Sequence, residues 1–147
     1  MKKVLLIIIP VVVLLGAGGY FGYSYFFAEK PVAEVVLGPA EVKVNAKRLW
    51  VDYSMNPDIA GPRYTGKIAE VTGSIMRVEA VDDEIVVVFA FKKGDAGDEG
   101  IRVTMLPSFR QAARGINPFK NVTIKGVIKE YDRQNIIMEH GSIIGKQ

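Results

Sequence analysis

"YTGKIAEVTGSIMRV", residues 64–78, is the stretch on which the fold turns. In an extended chain, Ala69, Val71, Gly73 and Ile75 share one face while Glu70, Thr72 and Ser74 take the other. That is the period of a half-buried β-strand. Beyond Ile75 the next apolar pair is Met76 and Val78, so the phase slips. A slip beside a glycine marks a bulge or a sharp bend. Gly73 is therefore expected to let one long strand coil hard enough to serve both halves of a small barrel. Gly66 marks the entry to it.

More strands follow. Asp82 and Asp83 suit a turn. Residues 84–92, "EIVVVFAFK", are apolar at nearly every position, as in a strand covered on both faces. "KKGDAGDEG", 92–100, reads as a polar hairpin loop, and "IRVTML", 101–106, alternates with Ile101, Val103 and Met105 inward. "PSFRQAARG", 107–115, has helix chemistry: Ser108 and Gln111 fit a capping box, and Gly115 fits a left-handed C-terminus. "NVTIKGVIKEY", 121–131, alternates again, with Lys125 and Lys129 on the outer side. "RQN", 133–135, turns into a last strand.

Upstream, "NAKRLWVDYSMN", 45–56, predicts a short helix with Asn45 as N-cap and Pro57 as its stop. The expected fold is all-β with minor α. It is a five-stranded OB-fold Greek-key barrel, with a helix between strands three and four and a short helix in front.

Residues 4–27 hold no charged side chain over 24 positions. About 20 apolar helical residues cross a bilayer core. Tyr20, Tyr23, Tyr25 and Phe27 gather at the far end, as in an interfacial aromatic belt. A secretory signal's apolar region is shorter, about 7–15 residues. The expectation is a single-pass anchor over residues 1–28, a linker over 29–44 and the barrel domain over 45–147. Lys2 and Lys3 place the N-terminus in the cytoplasm and the barrel outside it.

The net charge of +3 invites a nucleic-acid reading. Yet Lys2 and Lys3 are two of the 19 basic residues, which leaves 17 against 16 acids beyond them. That is no bulk basic excess. The absence of cysteine excludes disulfides and thiolate chemistry. With a single histidine, the common His-based and Cys-based nucleophile arrangements are excluded too, so no catalytic or metal site is assigned.

The pattern Leu49, Tyr53, Asn56, Ala60, Tyr64, Gly66, Lys67, Val71, Gly73 and Ile75 resembles the opening motif of the tRNA_anti-like family. These are OB-fold proteins that are membrane-anchored or exported. The resemblance runs over residues 45–144 and implies a barrel outside the cytoplasm, with these motif residues in structural roles. A second resemblance is to haem chaperones, which attach haem through a histidine in an H-D-E-x-x-Y tail. Here His140 is followed by "GSIIGKQ", without those acids or the tyrosine, so no cofactor is assigned and the default is a strand or turn histidine.

OB barrels bind ligands on the face of strands two and three. Lys92, Lys93 and Arg102 are the candidates there, with Phe89 and Phe91 as either stacking platforms or core. The expected function is a non-enzymatic binding module of the cell envelope, taking a protein, small molecule or oligosaccharide. A nucleic-acid-binding module is the alternative, and a haem or cofactor carrier the third reading.

Overall fold

The structure is a computed structural model that describes residues 31–146 and, upstream, Gly16, Gly18 and Gly19. Apart from those glycines the expected anchor, residues 4–27, lies outside the described residues. Among the described residues no helix is long and apolar enough to cross a membrane. The chain divides into two compact units, Met1–Lys30 and Pro31–Gln147, and the second holds the whole sheet.

Seven strands form that sheet: β1 (Val42–Asn45), β2 (Ile68–Ser74), β3 (Arg77–Val81), β4 (Glu84–Gly94), β5 (Gly97–Met105), β6 (Asn121–Tyr131) and β7 (Asn135–Lys146). Between residues 31 and 146 the α-helices are α1 (Val32–Leu37), α2 (Ala46–Met55), α3 (Pro57–Tyr64) and α4 (Arg110–Arg114). The spatial order is β1-β2-β6-β7-β5-β4-β3, with β5 and β7 parallel. Five strands were expected and seven are present among the described residues, for two reasons. The first barrel strand is broken into β2 and β3, and β1 adds to its outer edge in parallel with β2.

β2 and β3 lie far apart in the sheet order yet only two residues apart in the chain. The sheet must therefore curl on itself in an OB-like barrel. The change of partner is visible in the backbone. Ile75 N–H donates to Lys120 O at 3.2 Å, on the β6 side, and Met76 N–H donates to Val88 O of β4 at 2.8 Å. Gly73 permits this bend to be packed. A Cβ there would stand 2.7 Å from Ala46 Cβ and 3.4 Å from Phe89 Cδ1. Gly66 serves differently: its φ of +80° turns the chain from α3 into β2.

Asp82 and Asp83 both adopt positive φ in a two-residue hairpin between β3 and β4. The expected loop over 92–100 is mostly strand. Lys92 faces Glu99 and Lys93 faces Asp98 across the ladder, leaving only Asp95 and Ala96 to turn. Opposite charges across a strand pair offset the polar composition. The expected capping box at Ser108 does not form, because Pro107–Phe109 make a 3-10 turn that places Ser108 inside it. Gly115 has φ −84°, so it is not a left-handed cap.

Asn45 caps α2 as expected, its Oδ1 accepting from the N–H of Lys47 at 2.9 Å. Pro57 does not end the helical region. It occupies the first turn of α3, capped by Asn56, whose Oδ1 accepts from Ile59 N–H at 3.3 Å. Leu49, Tyr53, Ala60 and Tyr64 of these two helices are buried in one core with Val87, Phe89, Ile101 and Ile136. Full burial of the Leu, Val, Ile and Phe side chains among them contributes about 1.5–3 kcal/mol each.

The stretch expected as a spacer also carries structure. α1 buries Val35, and Lys125 lies beneath the helix with only 8% of its surface exposed. The Lys125 ammonium donates to Val36 O at 2.7 Å and Gly38 O at 2.9 Å. These are carbonyls at the end of α1, where cations are favoured. Lys125 was expected on the solvent face. Its face is covered because α1 packs on β6 and β7.

Candidate functional site

The outer face of β3, β4 and β5 corresponds to the ligand face of an OB barrel. Val86 and Val88 form its buried floor, and charged side chains pair above them. Arg77 Nε donates to Glu79 Oε1 at 2.6 Å, and its Nη1 donates to Asp98. Arg102 donates to the other Glu79 oxygen. Burial pushes the Glu79 carboxyl up, but the hydrogen bonds from Arg77 and Arg102 outweigh it and hold the group below its ordinary value. Each cation of this network thus has a carboxylate.

The network sets an acid limit. A carboxylate with a depressed folded pKa stabilises the fold above its unfolded pKa and loses that contribution as pH falls through the folded value. Thermal midpoints are therefore expected to drop below about pH 4.5 as Glu79 protonates, and Glu79→Gln is expected to flatten that limb of the profile.

The three sequence candidates sit on or beside this face without converging. Lys92 Nζ lies 3.6 Å from Glu99, Lys93 is exposed opposite Asp98, and Arg102 is held by Glu79. Arg102 stands four residues along β5 from Asp98, about 13 Å at strand spacing. Phe89 is core, and Phe91 is half-buried against Trp50 with centroids 5.8 Å apart. His140 sits in β7 at φ +57°, where the β5–β7 register shifts. Among the described residues no group of three or more His, Cys, Asp or Glu could hold a metal ion.

Cations converge elsewhere. A cleft of about 490 Å³ opens between β1, α2 and α3, lined by Lys43, Arg48, Arg63 and Lys67 together with Glu41 and Tyr64. Its wall is rigid. Asp52 accepts from Arg48 Nε at 2.9 Å and from the Tyr64 hydroxyl at 2.7 Å. The Tyr64 bond is the main reason the Asp52 carboxyl lies below its ordinary value. Arg63 stacks over the Tyr64 ring at 5.2 Å. Glu41 Oε2 is turned to the Ile68 N–H, 2.8 Å away. Lys43 pairs with Glu70 at 3.3 Å on the rim. Neither Arg63 nor Lys67 forms an ion pair among the described residues.

Sequence reasoning missed this cleft. One signal was present: Lys67 is the only motif residue whose side chain is neither packed in the core, capping a helix nor making a turn. Arg48 and Arg63 carry no such mark: neither belongs to that motif, and α3 was not expected. A further cleft of about 380 Å³ is lined by Phe91, Phe119, Met76 and Lys47, with Phe119 at 73% exposure.

Among solved structures, the chain is similar to a protein of Klebsiella pneumoniae subsp. pneumoniae MGH 78578 named as a candidate nucleic acid-binding lipoprotein. The two share 13% identity and a TM-score of 0.54, over 79% of this chain and 100% of that one. This likeness concerns the fold. An aspartyl-tRNA synthetase of Entamoeba histolytica gives 10% identity and a TM-score of 0.45, over 82% of this chain and 24% of that one. No curated protein matches. A family model, tRNA_anti-like, matches residues 1–141, and the chain belongs to that family.

Proposed function

We propose that the protein is a non-enzymatic binding module, held at a membrane by residues 4–27 with its barrel outside the cytoplasm, and that it takes an anionic ligand in the β1–α2–α3 cleft. The observation that carries this reading is the set of four cations around one opening, two of them without an ion-pair partner among the described residues. Membership of a family of OB-fold proteins supports a binding role. The name of the Klebsiella relative, a lipoprotein, is in keeping with attachment to a membrane.

Labelled poly-L-glutamate, titrated against the full chain in neutral detergent, tests the cleft. Affinity is expected to fall steeply with salt. It is expected to fall at least tenfold in Arg63→Gln/Lys67→Gln and to stay within twofold in Lys92→Gln/Lys93→Gln. The opposite ranking of the two variants returns the site to the β4–β5 hairpin. For topology, a reporter active only outside the cytoplasm, fused after Gln147, is expected to give signal. Signal instead from a fusion that fluoresces only inside overturns the orientation.

A nucleic-acid-binding module is the second reading. The cleft holding Phe91, Phe119 and Lys47 favours it, because the exposed Phe119 ring beside a cation suits base stacking. Single-stranded oligonucleotide binding that is lost in Phe119→Ala would bring this reading forward.

A further inference from the structure

We infer that the β1–α2–α3 cleft binds the phosphate of an anionic lipid headgroup, from the same bilayer that the chain's own apolar run enters. This rests on the reading of that cleft as an anion site and of residues 4–27 as an anchor.

Two observations select phosphate over a carboxylate. Arg48 spends Nε on Asp52, at 2.9 Å, and keeps its terminal nitrogens for another acceptor. With Arg63, Lys43 and Lys67, donors approach the opening from β1, α2, α3 and the turn after it. A planar carboxylate offers two oxygens in one plane. A tetrahedral phosphate offers acceptors in several directions and matches guanidinium donors well. The volume, about 490 Å³, takes more than a bare phosphate ion and suits a headgroup.

The lipid source follows from the anchor reading: residues 4–27 hold no charged side chain and are read as a membrane span. From Pro31 onward the chain is fixed to the barrel, through buried Val35 and the Lys125 bonds to Val36 O and Gly38 O. β1, which supplies one wall of the cleft, begins at Val42 directly after this fixed piece. An anion site on a chain anchored in a bilayer meets that bilayer's headgroups at high local concentration.

The test places the full chain in nanodiscs of phosphatidylcholine alone, or with phosphatidylglycerol at about a third of the lipid, and follows amide hydrogen exchange. Residues 41–48 and 63–67 are expected to exchange at least fivefold more slowly in the phosphatidylglycerol discs. Arg63→Gln/Lys67→Gln is expected to abolish the difference and Lys67→Arg to retain it, with exchange over 86–89 unchanged in both as the check on folding. Equal exchange in the two lipids overturns the lipid proposal. Three soluble probes added to phosphatidylcholine discs separate the remaining cases. If glycerol 3-phosphate protects the cleft while phosphatidylglycerol does not, the source is a soluble phosphate ester and the lipid proposal fails. If only poly-L-glutamate protects it, the anion site stands and the phosphate proposal fails. If a dodecamer of thymidylate protects it more than phosphatidylglycerol does, the partner is nucleic acid. If nothing protects it, both the proposal and the parent reading fail.

Discussion

Gly73→Ala is expected to destabilise the protein by about 3 kcal/mol, at the upper end of the range for overpacked cores. The added Cβ would stand 2.7 Å from Ala46 Cβ and 3.4 Å from the Phe89 ring. Neither neighbour can retreat cheaply. Ala46 is fully buried and opens α2, whose first turn is held by the Asn45 cap, and Phe89 is fully buried at the barrel centre. Urea unfolding of the variant measures the loss. Ala46→Gly removes the atom in the way, so the double variant is expected to recover more than half of it, a coupling that a double-mutant cycle reads directly. Wild-type stability in Gly73→Ala would mean that the helix does not rest on the bend.

Lys125→Met is the second large effect. The methionine keeps most of the apolar stem but loses the ammonium that joins Val36 O and Gly38 O. Hydrogen bonds to a charged donor contribute about 1.5–3 kcal/mol, and the carbonyls at the end of α1 lose their partner. A fall of about 2 kcal/mol in unfolding free energy is expected. Amide protection over 32–38 should fall much further than protection in the sheet, since α1 is otherwise held chiefly by Val35. Uniform loss across the barrel would contradict the role given to Lys125 as the fastening of α1.

Most of the barrel was legible because its strands alternate. The phase slip after Ile75 marked the site of the partner change between β2 and β3. The paired aspartates marked the first hairpin. What was not legible depends on covering layers and on compensating charges. α1 is a single short helix in a Pro- and Gly-flanked stretch, and nothing local announces that Lys125 lies beneath it. The hairpin ends of β4 and β5 look like a loop by composition but are strand, with Lys92 and Lys93 facing Glu99 and Asp98. At the start of α3, Pro57 was read as a stop, whereas a cap such as Asn56 followed by proline in the first turn also starts a helix. Missing α3 meant missing the cleft, since Arg63 and Tyr64 lie on it. Arg102 illustrates the converse. It stands on the expected ligand face, but Glu79 holds its guanidinium.

The claim that matters most is that the cations between β1, α2 and α3, and not the β4–β5 face, receive the ligand. Backbone amide shifts of the isotope-labelled full chain, recorded in neutral detergent while poly-L-glutamate is added, test it most directly. The account predicts the largest shifts over residues 41–48 and 63–67, with residues 77–79 and 98–102 unmoved. Shifts confined to the β3–β5 face would contradict it and restore Lys92, Lys93 and Arg102 as the site.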